Sequence, residues 1–133
     1  MKRRHLLGVI LLAAAAPVGA LAAGDSKKKK AGGTNYIPLD TLSGATNKPY
    51  GRRGVMTIEC GIDVPDNALR ARAQASAPRL RAAFVETVQV YAAGLPMGAL
   101  PNADFLSRAL QAKTDQVLGK PGAKLLLGAI LVN

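Results

Sequence analysis

The clearest hydrophobic pattern in this chain runs from Val55 to Val64, where Met56, Ile58, Cys60, Ile62 and Val64 alternate with Val55, Thr57, Glu59, Gly61 and Asp63. Successive side chains of a strand point to opposite faces, so this period of two predicts a strand with one buried face. Cys60 falls in the apolar register and reads as a small buried thiol. Upstream, Tyr36-Ile-Pro-Leu-Asp-Thr-Leu predicts a first short strand, at a sheet edge because Pro38 has no N–H to donate. Ser43 to Gly54, rich in Gly, Asn and Pro, reads as the turn between the two.

The spacing then becomes helical. Leu69, Ala73, Leu80, Phe84, Val88 and Tyr91 recur at steps of three, four or seven and make one apolar stripe. Asp66, following Pro65, stands where a side chain accepts from the free N–H groups of a helix start. Pro78 predicts a kink or split near Ala77, and Gly94 with Pro96 ends the helix. Leu95 to Pro101 is an apolar loop. Asn102 caps a second helix, with Asp104 in its first turn where the helix dipole favours an acid. Leu106, Ala109, Leu110, Lys113 and Val117 mark its inner side, and Gly119 with Pro121 stops it.

The chain closes on Ala-Lys-Leu-Leu-Leu-Gly-Ala-Ile-Leu-Val, residues 123–132. A run this apolar reads as a strand buried on both faces, central or sandwiched; a short apolar helix is the alternative. The expected fold is α+β: a small sheet of three or four strands with two helices packed on one face, in the order β-β-α-α-β.

Residues 1–22 follow a different grammar. Lys2, Arg3, Arg4 and His5 precede an uncharged apolar run from Leu6 to Ala23 that exits through Ala20-Leu21-Ala22, which is the pattern of an export signal. Arg3-Arg4-His5-Leu6-Leu7 resembles the twin-arginine motif. Pro17 and Gly19 weaken the run as a spanning helix, which favours cleavage after Ala22 and a free periplasmic domain. An uncleaved anchor in the inner membrane is the alternative. Residues 23–35 read as a flexible leader carrying Lys27-Lys28-Lys29-Lys30. That run is a solvated spacer, or a contact for anionic lipid headgroups or another polyanion. Residues 36–133 are the one domain that remains.

Charge adds little to this picture. The whole chain has 18 basic and 8 acidic side chains, net +10. Removing Lys2, Arg3 and Arg4 with the signal leaves +7, and setting aside the four lysines leaves +3 on the domain. The basic character therefore belongs mostly to the leader. Arg70, Arg72, Arg79 and Arg81 lie mostly off the helical stripe and read as a solvated face. Arg72 and Arg79, with Leu95 and Met97 of the apolar loop, form a candidate partner face.

The inventory of reactive side chains is short. His5, in the signal, is the only histidine, and Cys60 is the only cysteine. Histidine-assisted nucleophiles and His- or Cys-based zinc sites are therefore excluded from the mature domain, as is an internal disulfide. Gly51-Arg-Arg-Gly54 lacks the P-loop pattern and no Rossmann pattern occurs. Asp63 and Asp66 are the nearest thing to a carboxylate pair, and Asp66 already has a capping role. No catalytic residue, cofactor or metal is expected, and nucleic-acid binding is disfavoured by the few aromatic residues.

Three segments carry a family resemblance: Tyr36-Ile-Pro-Leu-Asp, then Gly54-Val-Met-Thr-Ile-Glu-Cys-Gly-Ile-Asp-Val, then Ala77-Pro-Arg-Leu-Arg-Ala-Ala-Phe-Val85. With the second helix and the apolar end, they resemble the periplasmic domain of the flagellar basal-body-associated FliL family. The chain is also similar to small exported proteins with twin-arginine-type signals and no assigned function. In the FliL family an acid often stands where this chain has Ala82, and members keep an uncleaved anchor and a longer linker. The resemblance implies a stomatin- or prohibitin-like domain and a non-enzymatic accessory or scaffold role at the periplasmic side of the bacterial inner membrane, linked to the flagellar motor. Its partner would be a protein, with self-association and membrane-surface contact as further expectations. The competing expectation is a free soluble periplasmic module binding a protein or an anionic ligand.

Overall fold

A computed structural model describes residues 33–133. The expected export signal (Arg3, Arg4, Leu6, Leu7, Ala20, Ala22) and the lysine run Lys27–Lys30 lie outside the described residues. The fold is α+β: strands β1 (Tyr36–Asn47) and β2 (Arg53–Asp63), helices α1 (Asn67–Ala75), α2 (Ala77–Gly94) and α3 (Ala103–Leu118), then strand β3 (Lys124–Val132). The sheet is antiparallel with order β1-β2-β3, so β2 is central. All three helices belong to one side of it, α2 lying along β1 and α3 along β3.

The alternation in β2 has the physical cause its sequence implies. Met56, Ile58, Cys60 and Ile62 face the helices and are buried, while Val55 and Glu59 face outward. The helical stripe delivers the other half of the core. Leu69, Ala73, Leu80, Phe84 and Val88 are buried against the sheet, with Tyr91 half-buried at the stripe's end. Burial of these side chains contributes about 1.5–3 kcal/mol apiece for the larger ones.

Of the kink or split expected near Ala77, the split is what forms, giving two helices, α1 and α2. Ser76 closes α1 through its N–H to the carbonyls of Arg72 and Ala73, and its own carbonyl opens α2 by accepting from Leu80 N. Pro78 then sits in the first turn of α2, where its missing N–H removes no helical bond. Both expected caps form: the Asp66 carboxylate accepts from Leu69 N at 2.7 Å, and Asn102 Oδ1 accepts from Phe105 N at 3.0 Å. Asp66 is thus occupied structurally, and Asp63 ends β2, its backbone opposite Tyr36 in the β1–β2 ladder.

Three expectations need correction. The first strand does not stop at Leu42. It continues to Asn47, because Leu42, Gly44 and Thr46 keep alternating into the interior beneath α2, and the turn shrinks to residues 48–52. The closing strand is not central. β3 pairs with β2 alone and forms the second edge of the sheet, with Leu125 buried but Leu131 65% exposed. With helices on one side only, nothing among the described residues covers its other face. The buried side of α3 also runs differently: Leu106, Leu110, Thr114 and Leu118 point inward, and Lys113 and Val117 flank them. Thr114 tolerates full burial because its hydroxyl donates to the Leu110 carbonyl at 2.8 Å.

Candidate functional site

Local turn chemistry and the length of α2 together build one end of the molecule. β1 and β2 are joined by Lys48-Pro-Tyr-Gly-Arg52, closed by Lys48 N–H donating to the Arg52 carbonyl at 2.8 Å. Tyr50 sits at its tip with φ 61, a left-handed conformation that costs a residue with a Cβ roughly 1–2 kcal/mol. Its ring packs on nothing and is 95% exposed. Lys48 lays its stem over Gly54, and Arg52 and Arg53 stand exposed beside it. No carboxylate occurs in the chain between Asp40 and Glu59.

The loop after α2 arrives at the same end. Asn47, the last residue of β1, donates its side-chain N–H to the Ala93 carbonyl near the end of α2 at 3.0 Å. The chain then turns through Pro96-Met-Gly-Ala99, with Ala99 N–H donating to the Pro96 carbonyl and Gly98 at φ 77. Met97 projects from that turn 62% exposed, and Leu100 beyond it is 89% exposed. One end of the domain therefore presents Tyr50, Met97 and Leu100 outward together with Lys48, Arg52 and Arg53. Asp104, in the first turn of α3 at the same end, makes no ion pair with these cations among the described residues.

A groove lies on the outer side of the α2–α3 pair, with a volume of about 310 Å³. Val90, Tyr91, Phe105 and Ala109 line it, with Glu86 and Lys113 as its charged members. The Tyr91 and Phe105 rings stack with centroids 5.5 Å apart. The Tyr91 hydroxyl accepts from Asn102 N at 2.7 Å, so the residue that caps α3 also fixes the ring that lines the groove.

The candidate partner face expected from the sequence is divided by the fold. Arg72 and Arg79 belong to α1 and the first turn of α2, whereas Leu95 and Met97 follow its last turn. From residue 79 to residue 95 the helix rises about 24 Å. Arg72 Nη1 donates to the Leu118 carbonyl at the end of α3 at 3.1 Å, and Leu95 is buried. Arg70 is likewise committed, donating to Asn35 Oδ1 at 2.8 Å and to the Val64 carbonyl at 2.9 Å, which pins the entry of β1 to the start of α1. Arg81 lies 3.8 Å from the Asp40 carboxylate across α2 and β1. Of the expected face, Met97 and Arg79 make no such tie among the described residues.

Cys60 is buried under the helices, and burial pushes its thiol up to about 11, with the nearby Arg81 guanidinium pulling weakly the other way. A thiol held protonated is a poor nucleophile. Among the described residues no three His, Cys, Asp or Glu side chains come close enough to hold a metal ion. No helix among them is long and apolar enough to cross a membrane.

By sequence, Gly51-Arg-Arg-Gly54 falls in the Ser43–Gly54 turn and is rejected as a phosphate loop, but the hairpin tip is not picked out as a candidate site. The signal was present: a tyrosine set among three cations in a Pro-Gly turn, inside a long stretch without acids. No protein-family model matches the chain, and no curated protein matches it either.

Proposed function

We propose that this chain is a non-enzymatic accessory protein that acts outside the cytoplasm at the periplasmic side of the inner membrane, in the manner of a FliL-like scaffold. The observation that carries the reading is the α2–α3 groove. Val90 and Phe105 are apolar side chains left exposed outside the core, and Tyr91, half-buried at its margin, is held in place by a hydrogen bond from Asn102, the cap of the next helix. Surface apolar clusters of this kind mark docking sites. A partner helix with an apolar stripe fits the shape, and Glu86 with Lys113 would orient it. The reactive inventory supports the same reading, since the one thiol is buried and Asp66 is spent as a cap.

The test is photo-crosslinking in the native host from a reactive residue placed at Val90, read by mass spectrometry. The reading expects one dominant adduct to an inner-membrane protein, lost when Phe105 is changed to Glu. Adducts only to small molecules, or none, would overturn it. A second reading, a free periplasmic module for an anionic ligand, draws on Lys48, Arg52 and Arg53. It expects the protein in the soluble periplasmic fraction with salt-sensitive ligand binding.

A further inference from the structure

We infer that the end of the domain formed by the Lys48–Arg53 hairpin and the Pro96–Leu100 loop docks on an anionic phospholipid surface. The proposal goes beyond the accessory reading and holds whether or not the α2–α3 groove takes a protein partner.

Three features of that end converge. The first is its outline. Tyr50 and Met97 stand at the tips of two separate turns and Leu100 just beyond the second, and these are projections rather than walls of a cavity. A small soluble ligand is gripped by a concavity, whereas projecting apolar tips enter a boundary between water and a softer medium. The second is chemical type. A tyrosine ring with aliphatic neighbours suits the headgroup level of a bilayer, where the ring is buried and its hydroxyl stays wet. The third is charge. Lys48, Arg52 and Arg53 flank the tips, and none forms an ion pair among the described residues. Cations near an anionic membrane contribute about fivefold each to affinity.

Tyr50 sharpens the argument. A residue with a Cβ at φ 61 is disfavoured at this place in the turn, and its ring gives nothing back to the fold because it touches no core residue. Strain kept at an exposed tip points to use at that tip. The two loops are also held together from within, since the Asn47–Ala93 hydrogen bond locks the hairpin against the end of α2. Apolar tips and cations are therefore presented at one end of the fold, on two loops tied to each other's flanking elements.

Charge also separates this occupant from a protein. An acidic protein surface would take the cations but would have to match three apolar tips of unrelated shape, whereas a fluid headgroup layer adapts to them. The opposite end of the domain, at Val64, Pro65 and Asn35, has no comparable exposed apolar residue among the described residues.

The chain contains no tryptophan, so Tyr50→Trp places a single fluorophore on the tip of the full-length protein. The probe is a unilamellar vesicle of equal parts phosphatidylglycerol and phosphatidylcholine, compared with phosphatidylcholine alone. The expected result is a blue shift with the anionic vesicles only, and a fall of at least about tenfold in vesicle affinity for Lys48→Glu/Arg52→Glu/Arg53→Glu in the same background. Because the reporter sits on the tip, binding through the lysine run Lys27–Lys30 or the apolar N-terminal segment gives no shift, and that outcome overturns the proposal. An equal shift with neutral vesicles also overturns it. So does a charge-reversed variant whose affinity falls by less than about tenfold, or a Tyr50→Trp protein with its cations intact whose Trp responds to an acidic protein and not to vesicles. Circular dichroism of each variant confirms the fold, since Tyr50, Arg52 and Arg53 are exposed and Lys48 is half-buried outside the core.

Discussion

Gly44 of β1 meets Ala92 of α2 with no room for a side chain between them. A Cβ built on Gly44 would lie 2.8 Å from the Ala92 Cβ and 3.0 Å from the Val88 carbonyl oxygen. The obstacle is helix backbone, which cannot step aside. Gly44→Ala is therefore expected to destabilise the domain by about 1–3 kcal/mol, as over-packing does, read as a lower urea midpoint at unchanged slope. Gly61→Ala is the contrast. There the intruding Cβ meets the Tyr36 ring, and a ring can rotate away. Its cost is expected to be smaller, and a midpoint shift equal to that of Gly44→Ala would mean that Tyr36 is fixed more firmly than the structure implies.

The same contact explains what the sequence could and could not show. The strand at residues 55–64 was legible because one face is buried at every second residue. The caps at Asp66 and Asn102 were legible because capping is settled within three residues. Gly44 and Asn47 looked like turn residues because Gly and Asn usually are. They belong to a strand because α2 presses on Gly44 and bonds to Asn47 from more than forty residues away, and no local pattern carries that. β3 failed for a related reason. Leu125, Leu126 and Leu127 share one hydrophobicity, but sheet order decides whether such a run is flanked on both sides, and order is a property of the whole chain. The candidate docking end was illegible for the same cause: an 18-residue α2 brings Met97 and Leu100 level with Tyr50.

Cys60 makes stability depend on alkaline pH. Burial raises its thiol from 9.0 to about 11, and the cause is loss of water rather than a charged neighbour. The unfolded chain ionises first as pH rises. The stabilising contribution is thus complete below about pH 9 and is lost as pH climbs through about 11. Tyr36 moves the same way, through burial and then the neighbouring Cys60 and Glu59. Urea midpoints measured from pH 7 to 11.5 are expected to fall across that window. Cys60→Ala should flatten the lower part of the fall and Tyr36→Phe the upper part. A thiol reagent at pH 8 should label Cys60 only after denaturation; fast labelling of the folded protein would contradict the burial.

Asn102 holds two structures at once. Its side chain accepts from Phe105 N, and its own N–H donates to the Tyr91 hydroxyl. Asn102→Ala removes the first bond and should cost about 0.5–2 kcal/mol. Tyr91→Phe removes the second and should cost about 0.5–1.5 kcal/mol. The two share one residue, so the double variant should cost less than the sum of the singles. A double-mutant cycle by thermal or urea unfolding checks this, and strict additivity would show that the groove ring and the α3 cap are independent.

The edge position of β3 makes opposite forecasts for two of its leucines. Leu125 is buried beneath α3, and Gln111 fixes its backbone by accepting from Leu125 N at 2.8 Å while donating to the Ala123 carbonyl. Leu125→Ala should therefore cost about 2–5 kcal/mol. Leu131 faces outward opposite Thr57, so Leu131→Lys should change stability by no more than about 0.5 kcal/mol. A strand buried on both faces would lose several kcal/mol at either position, which makes the pair a direct test of sheet order. A lysine near the end of an open apolar edge strand also discourages strand-to-strand pairing between molecules. Light scattering at rising protein concentration is accordingly expected to show less association for Leu131→Lys than for the parent chain, at matched stability. Equal association would place any self-contact on another surface, with the α2–α3 groove the next one to examine.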